Sequence, residues 1–336
     1  MTEFTQRLRA AQQRCRDGLV LAREEIVYLL QTPLGSEEDR LLRRAARQIA
    51  RETAGDIGYI WTALGLDFQP CTMNCKFCAL AEAWGLAVQK KTLSEEEILG
   101  RARSLVRDGA DFVVLRTTEF YSAEALCALV HRIRREIPGA YRLVLNTGEL
   151  TVAQADALHE SGADAVYHAL RLREGVDTPF RPAERLATME HVRRSRLELV
   201  SLVEPVGCEH TNEELADSFL RLVAHGAYIS GAMARVPVQG TPFGQSEPLG
   251  ASRLAQIIAV LRLSGGSTVR DICVHPASQE ALESGANVVV VEMGAIPRDA
   301  RPSPGAWQDF TMQQAKNRLE AAGYRLHALQ LDEKPV

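Results

Sequence analysis

The chain contains no run of 18 or more apolar residues, which argues against a membrane-spanning helix. Its first residues, MTEFTQRLRAAQQRC, are polar and hold no apolar h-region of the kind a secretory signal needs. A strong charge excess is also missing. The net charge of −4 and the pI near 6.1 give no electrostatic footprint for nucleic acid or an anionic membrane. Nor do the cysteines pair off, because seven is an odd number and three of them crowd one loop. With no export signal, that usage points to a reducing, cytoplasmic setting rather than a disulfide framework.

What remains is an ordinary globular composition, 46% hydrophobic and 24% charged, from which a sizeable core is expected. The Arg-rich stretches 40–51 and 132–135 read as solvated helix faces interleaved with Glu and Asp. A length of 336 residues suits one domain of barrel size or two ordinary ones.

Residues 4–56 carry apolar positions at helical spacing, with a Pro-Leu-Gly break at 33–35. Beyond them one unit recurs: a helix, then Gly-Ala, then a β-branched run. It reads SLVRDGADFVVLR (104–116), ALHESGADAVYHAL (157–170), RLVAHGAYISGAMARV (221–236) and ALESGANVVVVEM (281–293). Each glycine falls where a helix C-cap needs a left-handed residue. Each following run has the character of a strand buried on both faces. Further strands are expected at Tyr59–Phe68, Tyr141–Leu145, Leu197–Val203 and Thr268–Val274. Ser94 with Glu97 forms a capping box ahead of Ile98. About eight alternating βα units predict a (β/α)8 TIM-type barrel, with a doubly wound sheet of fewer strands as the alternative. The expected organisation is a helical N-terminal extension (1–56), one barrel domain (57–327) and a tail (328–336).

Function in such a barrel collects at the C-terminal ends of the strands. The first of those ends carries Cys71, Cys75 and Cys78, spaced C-x3-C-x2-C in PCTMNCKFCA. Three thiolates on a tight loop hold three corners of a cubane iron–sulfur cluster and leave one iron open to a small molecule. A zinc site with a distant fourth ligand is the competing reading. Cys15, Cys127 and Cys273 each sit singly in helix-like or strand-like runs, as small buried hydrophobes do.

The motif CTMNCKFC, with an aromatic before its third cysteine and βα repeats around it, resembles the radical S-adenosylmethionine (SAM) superfamily. LAREEIVYLL (21–30) and LSEEEILGRARSLVRDGADFVVL (93–115) resemble its biotin synthase branch, which also holds the hydrogenase maturase HydE and methylornithine synthase. LNTGEL (145–150) with GADAVYHALRLRE (162–174) is most similar to HydE and methylornithine synthase. RLATMEHVRRSRLELVSLVEPVGCEHTNEEL (185–215) and VPVQGTPF (236–243) are similar to biotin synthase segments. The resemblance implies a [4Fe–4S] cluster on Cys71, Cys75 and Cys78, with SAM chelated at the open iron. The reduced cluster then cleaves SAM to methionine and a 5′-deoxyadenosyl radical that abstracts hydrogen from a small-molecule substrate. A reductant such as flavodoxin or ferredoxin is the implied partner.

The same resemblance implies roles for single residues. Glu119, in Thr-Thr-Glu where relatives have a Gly-Gly-Glu-like stretch, accepts from the SAM ammonium. Arg185 binds the SAM carboxylate, with Arg171 and Arg173 as competitors, because guanidinium suits a bidentate carboxylate. Glu174 accepts from the ribose, and Phe77 lies against the adenine. Biotin synthase carries further cysteines and an Arg for a second cluster inside its barrel. Here Ser201 and His275 stand at two of those positions, and the second and third strands carry no cysteine. Cys208 and His275 are the expected catalytic thiol and imidazole. Arg116, Tyr121, Asn146, His168 and Arg235 are further candidates facing substrate, with His210 also on the rim. Three functions compete: rearrangement or fragmentation of a small metabolite or cofactor precursor, sulfur insertion resembling biotin or lipoyl synthesis, and a zinc-stabilised binding protein.

Overall fold

A computed structural model describes residues 2–119, 121–294 and 310–327. The expected tail, 328–336, lies outside the described residues. Three helices open the chain: α1 (Glu3–Arg16), α2 (Arg23–Leu30) and α3 (Glu37–Ala54). The break between α2 and α3 falls at Pro33-Leu34-Gly35, where Gly35 has φ 74°. After them come β1 (Ile57–Gly65), β2 (Phe112–Arg116), β3 (Arg142–Asn146) and β4 (Ala165–Tyr167). Next are β5 (Glu198–Val200, resumed at Val203–Val206), β6 (Ala227–Ala234), β7 (Asp271–His275) and β8 (Val288–Gly294). Each strand pairs in parallel with the next, and β8 pairs with β1 in register Tyr59 to Val288, so the barrel closes. This is the expected (β/α)8 barrel.

The helices between strands are α4 (Glu95–Arg107), α5 (Ala123–Glu136), α6 (Val152–Glu160), α7 (Pro182–Arg194), α8 (Asn212–Ala224), α9 (Ala251–Ser264) and α10 (Gln279–Glu283), with α11 (Met312–Ala321) after β8. The four Gly-Ala glycines, Gly109, Gly162, Gly226 and Gly285, all take positive φ, as a helix stop requires. Ser94 and Glu97 form the predicted capping box at α4.

Two cores follow from the strand alternation. Ile60 and Leu64 face outward into the layer between sheet and helices, while Trp61 and Ala63 face into the barrel. Helices α1 to α3 join the outer core and cover α9, so residues 254–264 of α9 are buried on every side. A mostly apolar helix without a solvent face is the result, its buried Gln256 and Arg262 satisfied by Thr32 O and Gly285 O.

The structure corrects several boundaries. The run Tyr59–Phe68 breaks at Gly65, and Asp67–Phe68 pairs antiparallel with Lys91–Thr92 outside the barrel. The fifth strand is interrupted at Ser201 and Leu202 by a register shift. Several arginines read as solvated are half-buried or more, among them Arg47, which reaches Asp56 at 3.0 Å, Arg43, 2.9 Å from Asp39, and Arg134, which donates to Gly162 O at 2.8 Å.

Candidate active site

The cysteine loop leaves β1 at the C-terminal mouth of the barrel. Asn74 turns it with φ 47°, a conformation Asn tolerates better than most residues. The Cys71 N–H donates to Leu80 O at 2.7 Å, and the Cys78 N–H donates to Cys75 O at 3.1 Å. Lys76 fastens the loop to the segment after β4, with its N–H on Asp177 O at 3.0 Å and its Nζ on Asp177 Oδ1 at 2.9 Å. The Phe243 N–H, after β6, donates to Lys76 O at 3.2 Å. A loop tied at both flanks holds its thiols in a fixed triangle.

Burial pushes the Cys75 thiol up to about 12 and raises Cys71, and Cys78 adds to the rise at both. Arg171 opposes that rise at each. Cys71, Cys75 and Cys78 therefore lie close enough to act on one another, with the Arg171 cation beside Cys71 and Cys75. Among the described residues no three His, Cys, Asp or Glu side chains gather closely enough to hold a single metal ion. In a cubane cluster each thiolate holds a separate iron, so three cysteines on one loop suffice for three of its corners.

Beneath the loop the barrel interior is a cavity of about 200 Å3. Trp61, Val114, Leu202, Met233 and Val290 make its apolar wall, and Cys75, Phe77 and Cys78 close it from above. Its polar groups stand on strand ends. Arg116 on β2 pairs with Glu292 on β8 at 2.7 Å. Tyr167 on β4 donates its hydroxyl to Glu204 on β5, and Arg171 Nε lies 3.8 Å from Glu204. Asn146, Arg235 and His275 complete the polar lining. Cys273, expected to be a plain buried thiol, is 1% exposed and also faces this cavity.

A second constellation stands beside Cys71, at the ends of β2, β3 and β4. Arg185, only 2% exposed, donates to Glu119 Oε1 at 3.1 Å and lies 2.8 Å from Glu149 Oε1. Its guanidinium stacks 3.8 Å from the Phe180 ring centroid. The buried Arg185 Nε has no hydrogen-bond partner among the described residues. Glu119 acts electrostatically on Cys71, so the pair borders the thiol triangle. A Cβ on Gly148 would stand 2.8 Å from Glu119 Oε2, so the glycine of NTGEL is what leaves room for that carboxylate. Burial raises the Glu149 carboxyl, and its partners are Thr188, Arg185 and the buried His168. Burial and the nearby Arg185 and Arg171 charges hold His168 neutral.

Two expected site residues, Arg173 and Cys208, point elsewhere. Arg173 has φ 55°, which turns its side chain outward to Glu214 at 2.8 Å, away from the thiols. Glu174 accepts from the Arg171 N–H at 2.8 Å and from the Thr178 hydroxyl, and it stays at the edge of the site, 4.0 Å from Arg185 Nε. Cys208 is exposed, 3.6 Å from Glu247 O, and does not line the cavity. Tyr121 lies in a separate shallow pocket with Asp67 and Lys90. Sequence reasoning missed Glu149, Glu204 and Glu292. Each is a single carboxylate at a strand end, with no local pattern to mark it.

These features define a (β/α)8 barrel with a three-cysteine loop after its first strand and a chamber beneath that loop. No family model matches the chain. It is 24% identical to the biotin synthase of Akkermansia muciniphila over 289 residues, 80% of this chain and 86% of that protein. To the biotin synthase of Rippkaea orientalis it is 25% identical over 309 residues, 83% of this chain and 80% of that one. Among solved structures, methylornithine synthase (PylB) superposes with a TM-score of 0.79 at 18% identity, covering 95% of this chain and 97% of that one. The [FeFe]-hydrogenase maturase HydG gives a TM-score of 0.80 at 14% identity, covering 96% and 76%. These relatives and neighbours support a likeness to the radical SAM superfamily, on the side of biotin synthase, methylornithine synthase and HydG.

Proposed function

We propose that the enzyme binds a [4Fe–4S] cluster on Cys71, Cys75 and Cys78, with SAM between that cluster and the barrel chamber. Its reaction is hydrogen abstraction from a small metabolite or cofactor precursor, leading to rearrangement or fragmentation. The observation that carries this reading is the Glu119–Arg185 pair at 3.1 Å beside the thiol triangle. An acceptor and a guanidinium side by side complement the ammonium and carboxylate of one amino-acid group, which is the end of SAM that meets the iron.

When bound, the reduced cluster and SAM together supply a 5′-deoxyadenosyl radical. The chain's own residues do the rest. Cys71, Cys75 and Cys78 would hold the cluster through their thiolates. Glu119 takes the ammonium, Arg185 offers its unpartnered Nε–H and terminal nitrogens to the carboxylate, and Glu149 with Phe180 holds that guanidinium in place. Phe77 packs against the adenine side of the cavity roof. The apolar wall of Trp61, Val114 and Leu202 keeps water from a reactive carbon, while Arg116, Glu204, Asn146 and His275 orient the substrate's polar groups.

Sulfur insertion is the weaker reading. Among the described residues Cys273 is the one cavity-lining thiol outside the loop, and Ser201 does not reach the cavity. The test is anaerobic reconstitution followed by dithionite and SAM. Formation of 5′-deoxyadenosine is the expected result, and its absence with an intact cluster would sink the proposal. An iron and sulfide count above one cluster per chain would favour insertion.

A further inference from the structure

Of the 39 basic residues in the chain only five are lysines: Lys76, Lys90, Lys91, Lys316 and Lys334. Three of the five belong to the cysteine loop or the segment that follows it. Among the described residues five large apolar side chains stand exposed, and Leu86, Val88 and Val176 are three of them. Val88 is 77% exposed, in the same segment as Lys90 and Lys91. Val176 precedes Asp177, the residue that anchors Lys76.

We propose that residues 82–91, with Lys76 and Val176 beside them, form the docking surface for an acidic one-electron carrier protein that reduces the cluster. This inference rests on the function proposed above. The segment lies against the cysteine loop through three hydrogen bonds. The Glu82 N–H donates to Cys71 O at 3.1 Å, the Ala83 N–H donates to Asn74 Oδ1 at 3.0 Å, and Trp84 Nε1 donates to Cys75 O at 3.1 Å. Trp84 is half-buried, so an aromatic ring at the surface stands one hydrogen bond from the backbone of a cluster ligand.

Charge selects the partner. Lys90 and Lys91 are exposed, and neither forms an ion pair among the described residues. The acids just beyond them are engaged elsewhere: Glu95 and Glu96 pair with Arg132, and Glu97 caps Ser94. Glu82 is the exposed acid left within the segment. A hydrated, flexible ammonium suits a brief, salt-sensitive encounter better than a guanidinium fork does. Leu86 and Val88 supply the small apolar centre of a contact of the electron-transfer size class. The step itself is balanced: one electron leaves the carrier, one enters the cluster, and no proton moves.

The test uses the reconstituted enzyme with K90E/K91E and, separately, V88D. SAM cleavage is measured with dithionite and with a reduced flavodoxin or ferredoxin. Binding of the oxidised flavodoxin is followed by NMR line broadening. The expected result is about a tenfold rise in the apparent KM for the protein donor at low salt, and flatter salt dependence, while the dithionite rate stays within about twofold. Unchanged donor KM and line broadening in both variants would overturn the proposal. So would a parallel loss with dithionite, or self-association through this face in sedimentation. A wild-type enzyme that binds flavodoxin here but cleaves no SAM with dithionite rejects the proposed function instead.

Discussion

Arg185→Lys tests the SAM site most directly. Arg185 is 2% exposed, spans Glu119 and Glu149 at 3.1 and 2.8 Å, and stacks 3.8 Å from the Phe180 ring centroid. Lysine keeps the charge, so neither carboxylate is left facing an uncompensated site, and the folding cost stays near 1–2 kcal/mol, or a few degrees in Tm. A single ammonium cannot bridge both glutamates, lie flat on the ring and present the Nε–H that Arg185 now holds without a partner. The ligand carboxylate therefore loses a charged hydrogen bond and its geometry, about 2–3 kcal/mol. That loss weakens SAM binding roughly 30- to 150-fold. Equilibrium dialysis of SAM against reconstituted enzyme measures it, with iron content and a melting curve as controls. SAM affinity within about twofold of wild type, with a full cluster, would refute the assignment. If Arg171→Lys carries the loss instead, Arg171 is the carboxylate partner.

Cys75→Ala abolishes cluster assembly and SAM cleavage while leaving the apo barrel's melting midpoint within a few degrees, since most of the core is remote from the loop. Iron quantitation and thermal melts check this, and global unfolding would point to a structural metal. Gly148→Ala puts a methyl 2.8 Å from Glu119 Oε2, displaces that flexible carboxylate, and raises the KM for SAM by about tenfold with little change in Tm. At the opposite end of the barrel, burial raises Asp111 from 3.8 to about 6 beside His327. Between those values the folded chain binds more protons than the unfolded one, so this group's contribution to stability falls as pH rises from 4 to 6, by up to about 3 kcal/mol. Asp111→Asn flattens that slope in urea unfolding of the apo chain, and an unchanged slope would refute the sign.

The βα repeat was readable because its signals are local. A glycine that must take positive φ, a Ser/Thr cap and a doubly buried β-branched run each report on a few neighbouring residues. The break in the fifth strand at Ser201 and Leu202 was not readable, because it arises from a register shift against β6. Side-chain direction was equally hidden. Arg171, Arg173 and Glu174 fall within four consecutive positions, yet one lines the chamber, one meets Glu214 at the surface and one stays in its loop 4.0 Å from Arg185.

The sequence by itself determined the cysteine spacing and the barrel class, since both depend on spacing and repeat pattern; the radical chemistry is what its resemblance to a known family implies. Tertiary structure alone decided which charges meet. Arg116 and Glu292, 176 residues apart, pair only because the barrel closes, and Glu119 meets Arg185 only because β2 and α7 converge at its mouth. Those pairings follow from strand closure and pleat direction, which no stretch of chain encodes locally.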